Sequence, residues 1–478
     1  MNAALKMTKA INGQCGLQAV PTLIVGLGQT GLSCARFLAR CGVPFAVTDS
    51  RAQPPAIDVL RAEQKDIAIS VGGFDAALFD WAQRLVVSPG VALDEPLIVA
   101  ARQRGVEIVG DIDLFARVAQ APIAAITGAN GKSTVTVLLA EMVKAAGKVV
   151  RVGGNIGTPA LDLLEETLQA NAEPDCYVLE LSSFQLDTTH SLHAAAAVVL
   201  NVSPDHMDRY ADLAQYTASK QRIFNVPDTA AGQPGVAVIN RDDPLVAVMS
   251  TFGRRVVSFG LDVPSGDNFG RILHQGQYWL ARGDQRLLPV NALRIAGEHN
   301  QANALAALAL GEALGLPMSS MLDALKVFSG LPHRVQFVAE AEAVTWLNDS
   351  KGTNVGATLA AIQGLAGPLI LIAGGQGKGA DFSPLRAAVK DKVRAVILLG
   401  EAAGLIEKAL AGVVPVQHVD DMLSAVKQAQ ALAQPGDKVL LSPACASFDM
   451  FNGFADRGEV FMAAVRDVIS GGCANDGA

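Results

Sequence analysis

Residues 126–139 read ITGANGKSTVTVLL. An apolar strand end runs into a short glycine loop carrying a lysine and two hydroxyls, and a helical pattern follows. Such a loop cradles phosphates, because its backbone N–H groups and the helix N-terminus converge on one anion. The loop is shorter than G-x-x-x-x-G-K-[ST], with Ile126 where the first glycine of that pattern would stand. Its phosphate-facing residues are Gly128, Ala129, Asn130, Gly131, Lys132, Ser133 and Thr134. A lysine at a helix start opposes the positive helix end unless an anion lies beside it. Lys132 is expected to reach the β/γ-phosphates, and Ser133 or Thr134 to ligate Mg²⁺. The loop leaves open whether a water, a hydroxyl or a carboxylate receives the phosphoryl group.

The same strand–glycine–helix pattern occurs at TLIVGLGQTGLSCARFLA (22–39) and LILIAGGQGKGADFSPL (369–385). Strands alternating with helices predict an α/β chain with parallel sheets and ligands at the strand C-termini. Breaks near 110–122 and 328–334 divide the 478 residues into domains 1–117, 118–330 and 331–478. Residues 261–290 alternate in short runs and read as strands added to the central domain.

Half of the residues are hydrophobic, 18% are charged and the net charge is −8, so large cores are expected and nucleic acid is not an expected partner. Six cysteines without CxxC spacing predict a reduced, cytoplasmic protein. Neither a signal-peptide core in the first 20 residues nor an apolar run of about 20 residues is present, so no membrane insertion is expected.

VGLGQTGLS (25–33) matches GxGxxG at Gly26, Gly28 and Gly31, with Asp49 following where a Rossmann acid would sit. This reads as nucleotide or phosphate binding, and NAD stays open at this point. YVLELSSFQL (177–186) is a buried-type strand carrying Glu180, placed to hold Mg²⁺ directly or through water. NVSPDHMDRY (201–210) sets His206 between Asp205 and Asp208 after an apolar run. Lys220, in SKQRIF, reads on spacing alone as a solvated helix lysine.

These stretches occur in order with GEHNQANALAALAL (297–310), GLPHR (330–334), NDSKGTN (348–354), GGQGKGADF (374–382) and SPACASFDMF (442–451). The set closely resembles the cytoplasmic Mur ligases of peptidoglycan synthesis, over roughly residues 22–458. The resemblance implies a Rossmann-like N-terminal domain for a UDP-sugar. It implies a central P-loop ATPase-like domain with a parallel sheet plus extra strands, and a C-terminal Rossmann-like domain for the amino acid. The implied reaction adds D-glutamate to UDP-N-acetylmuramoyl-L-alanine with ATP as co-substrate, through an acyl phosphate. Two Mg²⁺ ions, a carbamate formed from CO₂ on a lysine, and a monomer acting on small molecules are implied with it.

By the same resemblance, Gly28, Gln29, Thr30, Asp49, Ser50, Arg51, Ser88, Asn155 and His206 become contacts to the UDP-sugar. Lys132, Ser133 and Thr134 hold ATP phosphates and Mg²⁺, and Asn303, Arg334 and Asp349 contact ATP. Ser133, Glu180, His206 and Lys220, the last as its carbamate, form the metal set. Lys351 joins Lys132, His206 and Lys220 in catalysis, near the phosphates. Thr353, Lys378, Ser447, Phe448 and Phe454 match the pocket for the incoming amino acid. Gln376 stands where many relatives carry an acid, Gly352 where alanine is frequent with little expected consequence, and residues 1–20 match nothing in the family. A relative adding L-glutamate or another amino acid is the nearest alternative. A nicotinamide dehydrogenase explains GxGxxG but not Lys132, and a non-catalytic nucleotide switch leaves the C-terminal motifs without a role.

Overall fold

The computed structural model describes residues 17–170, 172–227, 234–295 and 297–472. Most of the N-terminal stretch that resembles nothing in the family, residues 1–16, lies outside them. Three sheets follow the three glycine-loop repeats. The first has strands β1 (Thr22–Val25), β2 (Phe45–Asp49), β3 (Ile69–Val71), β4 (Arg84–Val87) and β5 (Glu107–Val109). All its pairs are parallel, in the order β3-β2-β1-β4-β5. Leu23, Val25, Leu85 and Val87 turn one face into a core closed by Phe79, Ile98 and Ala101. Helix Gln29–Arg40 starts directly beyond the end of β1.

The second sheet runs β14-β13-β12-β11-β10-β9-β6-β8-β7. Its members are β6 (Ile123–Thr127), β7 (Val150–Gly154), β8 (Cys176–Glu180), β9 (Ala196–Val199), β10 (Val236–Asn240), β11 (Arg255–Phe259), β12 (Phe269–His274), β13 (Gln277–Arg282) and β14 (Gln285–Pro289). β12–β13 and β13–β14 are the antiparallel pairs, so residues 269–289 supply the added strands. β6, β8 and β9 are buried along their whole length. Covered on both faces, they read as continuous apolar runs without alternation.

The third sheet contains β15 (Gln336–Ala341), β16 (Val344–Asn348), β17 (Leu369–Gly374), β18 (Val393–Leu399), β19 (Val416–His418) and β20 (Lys438–Leu441), in the order β15-β16-β20-β17-β18-β19. Along β17, Leu369, Leu371 and Ala373 enter one core while Ile370 and Ile372 enter the other. The two-residue period of a strand thus feeds helices on both sides.

These sheets pack as two compact units. One takes the chain up to Val202 with Ala214–Val290 and Ala302–Lys326; the other takes Ser203–Leu213, Asn291–Gln301 and the chain from Val327. Within the first unit, the stretch after β5 is a firm joint rather than a loose linker. Gly110 N–H donates to Thr188 O (3.0 Å), and Asp113 Oδ1 accepts from the backbone of His190 and Ser191, each at 2.7 Å. Cys34, Cys41, Cys176 and Cys445 are buried. Among the described residues no helix is long and apolar enough to cross a membrane.

Candidate active site

The loop after β6 is shaped by two glycines and an asparagine. Gly131 has φ 84°, the left-handed region, and a Cβ there would lie 2.5 Å from Asn303 Oδ1. Only glycine satisfies both constraints. Asn201, at the end of the strand neighbouring β6, clasps the loop: Ala129 N–H donates to Asn201 O (2.9 Å), Asn130 N–H to Asn201 Oδ1 (2.8 Å), and Asn201 Nδ2 to Asn130 O (3.1 Å). Asn201 begins the NVSPDH stretch, yet its role was not legible there, because nothing local says that its strand pairs with β6.

Lys132 opens helix Lys132–Ala145, and its Nζ donates to Gly128 O (2.8 Å) and Ala129 O (3.0 Å). Lys220 is not a solvated helix lysine. It is 1% exposed, its Nζ donates to the same Gly128 O at 3.0 Å, and it lies 4.4 Å from the Tyr216 ring centroid. Two lysine side chains therefore meet at one loop carbonyl, beside the N–H groups of a helix start. That arrangement suits polyanionic phosphate.

Glu180 ends β8, in register with Ile126 of β6, and is 2% exposed. Its Oε1 accepts from Asn155 Nδ2 at 2.8 Å, whereas Oε2 has no hydrogen-bond partner. A buried carboxylate oxygen without a partner is costly, and a cation next to the loop would remove that cost. Among the described residues, no group of three or more His, Cys, Asp or Glu side chains is placed to hold a metal. Glu180 with the Ser133 hydroxyl fits Mg²⁺, a hard ion that keeps waters and takes phosphate oxygens.

A cavity of about 580 Å³ opens at the ends of β1, β2 and β4 and reaches Asn155 and Gln185. Gly28, Gln29, Thr30, Asp49, Ser50, Arg51, Ser88 and Asn155 all line it. The three glycines of the fingerprint divide by cause. A Cβ on Gly26 would meet Val91 and Ser88, and one on Gly31 would lie 2.1 Å from Gly26 O. A Cβ on Gly28 meets nothing within 4 Å, and Gly28 caps its helix without a side-chain bond. Open space and unclaimed helix N–H groups leave room at Gly28 for a ligand to approach.

Asp49 is already engaged. Leu27 N–H donates to its Oδ2 (2.7 Å), and Arg51 bonds Oδ1 through its N–H (2.8 Å) and Nε (2.9 Å). Burial pushes its carboxyl up, but these bonds outweigh burial and hold it below the ordinary aspartate value. An acid serving an NAD ribose must offer a free oxygen, so Asp49 acts by fixing the loop and aiming Arg51. In the same cavity Gln185 closes a capping box with Ser182 and donates through Nε2 to Asp111 Oδ2 at 3.1 Å.

The second unit carries the C-terminal motifs. Asp349 accepts from Ser442 Oγ (2.7 Å) and Val335 N–H (3.3 Å), and burial drives its carboxyl up to about 7. Lys351 Nζ lies 3.8 Å from the Phe454 ring centroid, a cation–π contact. Lys351, expected near the phosphates, is thus tied to a residue expected in the amino-acid pocket. Asn354 caps helix Val355–Gly364 and donates through Nδ2 to Asp205 Oδ2 at 3.2 Å. Lys378 sits at φ 50° in its glycine loop, its Nζ 3.9 Å from Asp205 Oδ1. Asp381 is bonded by Ser383 instead, so it is not the counter-ion of Lys378.

Ser447 is buried and Phe448 is 71% exposed. Gln376 joins its loop to the SPACAS turn through paired backbone bonds with Ala446 (2.9 and 3.0 Å), a role that any side chain permits. A Cβ on Gly352 would lie 2.7 Å from Asp349 Oδ2 and 2.8 Å from Ser442 Oγ, breaking into the Asp349 bond.

Arg457 is another residue that sequence reasoning missed. It is 1% exposed and donates to Ser350 Oγ (3.0 Å), Ser350 O (2.8 Å), Cys445 O (3.1 Å) and Ala446 O (3.3 Å). One guanidinium thereby holds NDSKGTN against SPACASF. The available signal was its spacing, four residues before Phe461 and eight before Val465 on the buried stripe of helix Phe454–Gly472. Of the nine non-glycine residues with left-handed φ among the described residues, His206, His333, Lys378 and Ala444 fall within the quoted motifs. Each such residue costs on the order of 1–3 kcal/mol and collects where geometry serves function.

Of the expected sets, Lys132, Ser133, Thr134, Glu180, Lys220 and Asn303 lie in the first unit, and His206, Arg334, Asp349 and Lys351 in the second.

The chain matches three family models: "Mur ligase MurD-like, N-terminal domain" over residues 21–110, "Mur ligase middle domain" over 126–311, and "Mur ligase, glutamate ligase domain" over 333–445. It is 55% identical over 454 residues to the UDP-N-acetylmuramoylalanine--D-glutamate ligase of Nitrosococcus oceani, covering 95% of this chain and 98% of the relative. It is 53% identical to the Pseudomonas aeruginosa protein of the same name, over 93% and 98%. Among solved structures it resembles MurF from Acinetobacter baumannii (TM-score 0.59, 16% identity, 97% and 98% covered). It also resembles MurC from Thermotoga maritima (TM-score 0.56, 19% identity, 95% and 100% covered). At these identities the structural matches speak for the fold.

Proposed function

The chain belongs to the Mur ligase family, and we propose from that premise that it joins D-glutamate to UDP-N-acetylmuramoyl-L-alanine with ATP, in peptidoglycan synthesis. It is an enzyme forming a carbon–nitrogen bond. A carboxylate resists attack by an amine, because an oxide would have to leave an anion. Transfer of the γ-phosphoryl group from ATP to the L-alanine carboxylate releases ADP and gives an acyl phosphate. The amine of D-glutamate attacks its carbonyl carbon, a tetrahedral intermediate collapses, phosphate leaves and the nitrogen loses a proton. The phosphate loop therefore serves a carboxylate.

The observation that carries this assignment into the chain's own residues is Lys132 at the helix start, its Nζ drawn over the loop carbonyls of Gly128 and Ala129 beside the loop N–H groups. Nucleotide and acceptor are both anions, and positioned positive charge is the main source of rate in phosphoryl transfer. Lys132 would bind the transferring phosphate. Mg²⁺ held by Ser133, Glu180 and His206 would supply further neutralisation when bound. Lys220, by resemblance, would take up CO₂ as a carbamate and add an oxygen ligand to the single carboxylate that Glu180 provides. The cavity over β1, β2 and β4 would hold the UDP-sugar, with Arg51 aimed by Asp49. Thr353, Lys378, Ser447, Phe448 and Phe454 would receive D-glutamate, and Asn303, Arg334 and Asp349 the nucleotide. The domains 1–117, 118–330 and 331–478 would take these three ligands in turn. Its substrates are small cytoplasmic molecules, which assigns it to the cytoplasm, acting as a monomer.

The test is phosphate release from ATP with UDP-N-acetylmuramoyl-L-alanine and a panel of D- and L-amino acids. Release that requires D-glutamate is expected. Equal release with L-glutamate, or release without any amino acid, would overturn the assignment.

A further inference from the structure

The amino-acid motifs contain cations and hydroxyls, which suit the two carboxylates of glutamate. The acids within these motifs are already engaged: Asp349 by Ser442 Oγ and Val335 N–H, Asp381 by Ser383, and Asp449 by Glu401 N–H. A further acid lies beside them. Asp205, in NVSPDH, belongs to the second unit together with NDSKGTN and GGQGKGADF. Its Oδ2 accepts from Asn354 Nδ2 (3.2 Å), the residue next to Thr353, and its Oδ1 accepts from His206 N–H (3.0 Å). Its Oδ1 lies 3.9 Å from Lys378 Nζ, and its Oδ2 3.7 Å from His206 Nε2.

The Lys378 distance decides the reading. A charge-assisted N–H···O bond closes to about 2.7–2.9 Å. Asp205 and Lys378 face each other about 1 Å beyond that. Asp205 is held by Asn354 Nδ2 and by the His206 N–H, while Lys378 reaches toward it on a flexible stem from a backbone at φ 50°. An unclosed pair of opposite charges, one of them anchored, complements a group carrying both signs on adjacent atoms. The α-carbon of an amino acid is such a group, with carboxylate and ammonium on one carbon.

We infer that Asp205 is a specificity-determining residue that binds the α-ammonium of the incoming amino acid while Lys378 takes its α-carboxylate. The inference rests on the reading of this chain as a D-glutamate ligase. It deepens that reading by giving three points of attachment: ammonium on Asp205, α-carboxylate on Lys378, side-chain carboxylate at Ser447 and the SFDMF turn. Three fixed points distinguish mirror images where two cannot. Handedness, which no motif displays, would then come from an acid lying far in sequence from the other two points.

The test uses the full-length enzyme, Asp205→Asn and Lys378→Ala. D-Glutamate is varied as substrate, and glutarate, the same diacid without the amine, serves as a competitive inhibitor. Asp205→Asn keeps the shape and an oxygen acceptor but removes the charge. Its KM for D-glutamate is expected to rise about 10–100-fold, the worth of a charge-assisted bond. Its inhibition constant for glutarate should stay within about twofold, and the preference for D- over L-glutamate should shrink. Lys378→Ala should lose affinity for both diacids. Parallel losses of D-glutamate and glutarate in Asp205→Asn would mean that Asp205 merely sets Lys378, which overturns the proposal. Unchanged D-glutamate kinetics overturn it too. An unaltered KM for the UDP-sugar reports a folded first unit, and circular dichroism with thermal melting reports the second. Wild-type enzyme indifferent to D-glutamate would sink the functional reading itself, and the proposal with it.

Discussion

Lys220 shows how little a single residue's surroundings in sequence say about its chemistry. In SKQRIF it sits among polar helix neighbours, yet it is buried and bonded to the phosphate loop. Its assignment as a carbamate gives a sharp expectation. Lys220→Ala should be inactive because a metal ligand is lost with the side chain, and added acetate should restore part of the rate by placing a carboxylate in the vacated space. Turnover in acetate, set against chloride of equal ionic strength, measures the rescue. Absence of rescue together with an unmodified lysine in the intact mass of active enzyme would refute the carbamate. Gly28 and Asp49 teach the complementary lesson, since both belong to a common fingerprint. The space around one and the spent hydrogen bonds of the other decide what each does here.

At the level of elements, the C-terminal helix does more than cover its sheet. Arg457 on helix Phe454–Gly472 reaches the carbonyls of two loops, and lysine cannot replace it, because an ammonium lacks the planar fork of five donors. Arg457→Lys should destabilise the protein by about 3 kcal/mol, the cost of buried carbonyls left without donors. It should also raise the KM for D-glutamate at least tenfold, with the KM for the UDP-sugar nearly unchanged. Thermal melting and steady-state kinetics read the two effects, and a variant indistinguishable from wild type in both would remove Arg457 from the loop architecture. Three strand–glycine–helix repeats were legible in sequence because each is a local pattern, and the phosphate loop and cavity residues were legible for the same reason. Asn201, Asp205 and Arg457 were not. Their partners lie 71, 149 and 107 residues away, and only the tertiary fold brings them together.

For the molecule as a whole, stability should carry the mark of Asp349. Burial raises its carboxyl from 3.8 in the open chain to about 7 in the fold. The folded state therefore binds this proton more tightly than the unfolded state. The stability it contributes is complete below the unfolded value and drains away as pH rises through about 7. Between pH 5 and 8 the wild-type protein should lose on the order of 2–4 kcal/mol relative to Asp349→Asn. Urea unfolding of both proteins across that range is the measurement. Parallel curves would mean that Asp349 stays ionised in the fold.

The clasp of Asn201 on Ala129 and Asn130 bears on how tightly a nucleotide can bind. A floppy phosphate loop would have to be ordered by its ligand, and each immobilised residue would subtract from affinity. Here the loop acquires its curvature when β9 pairs with β6, before any phosphate arrives. The entropy of shaping the cradle is charged to folding. Nucleotide affinity and fold stability thus share one reservoir, and a mutation that loosens the β6–β9 pairing weakens both together.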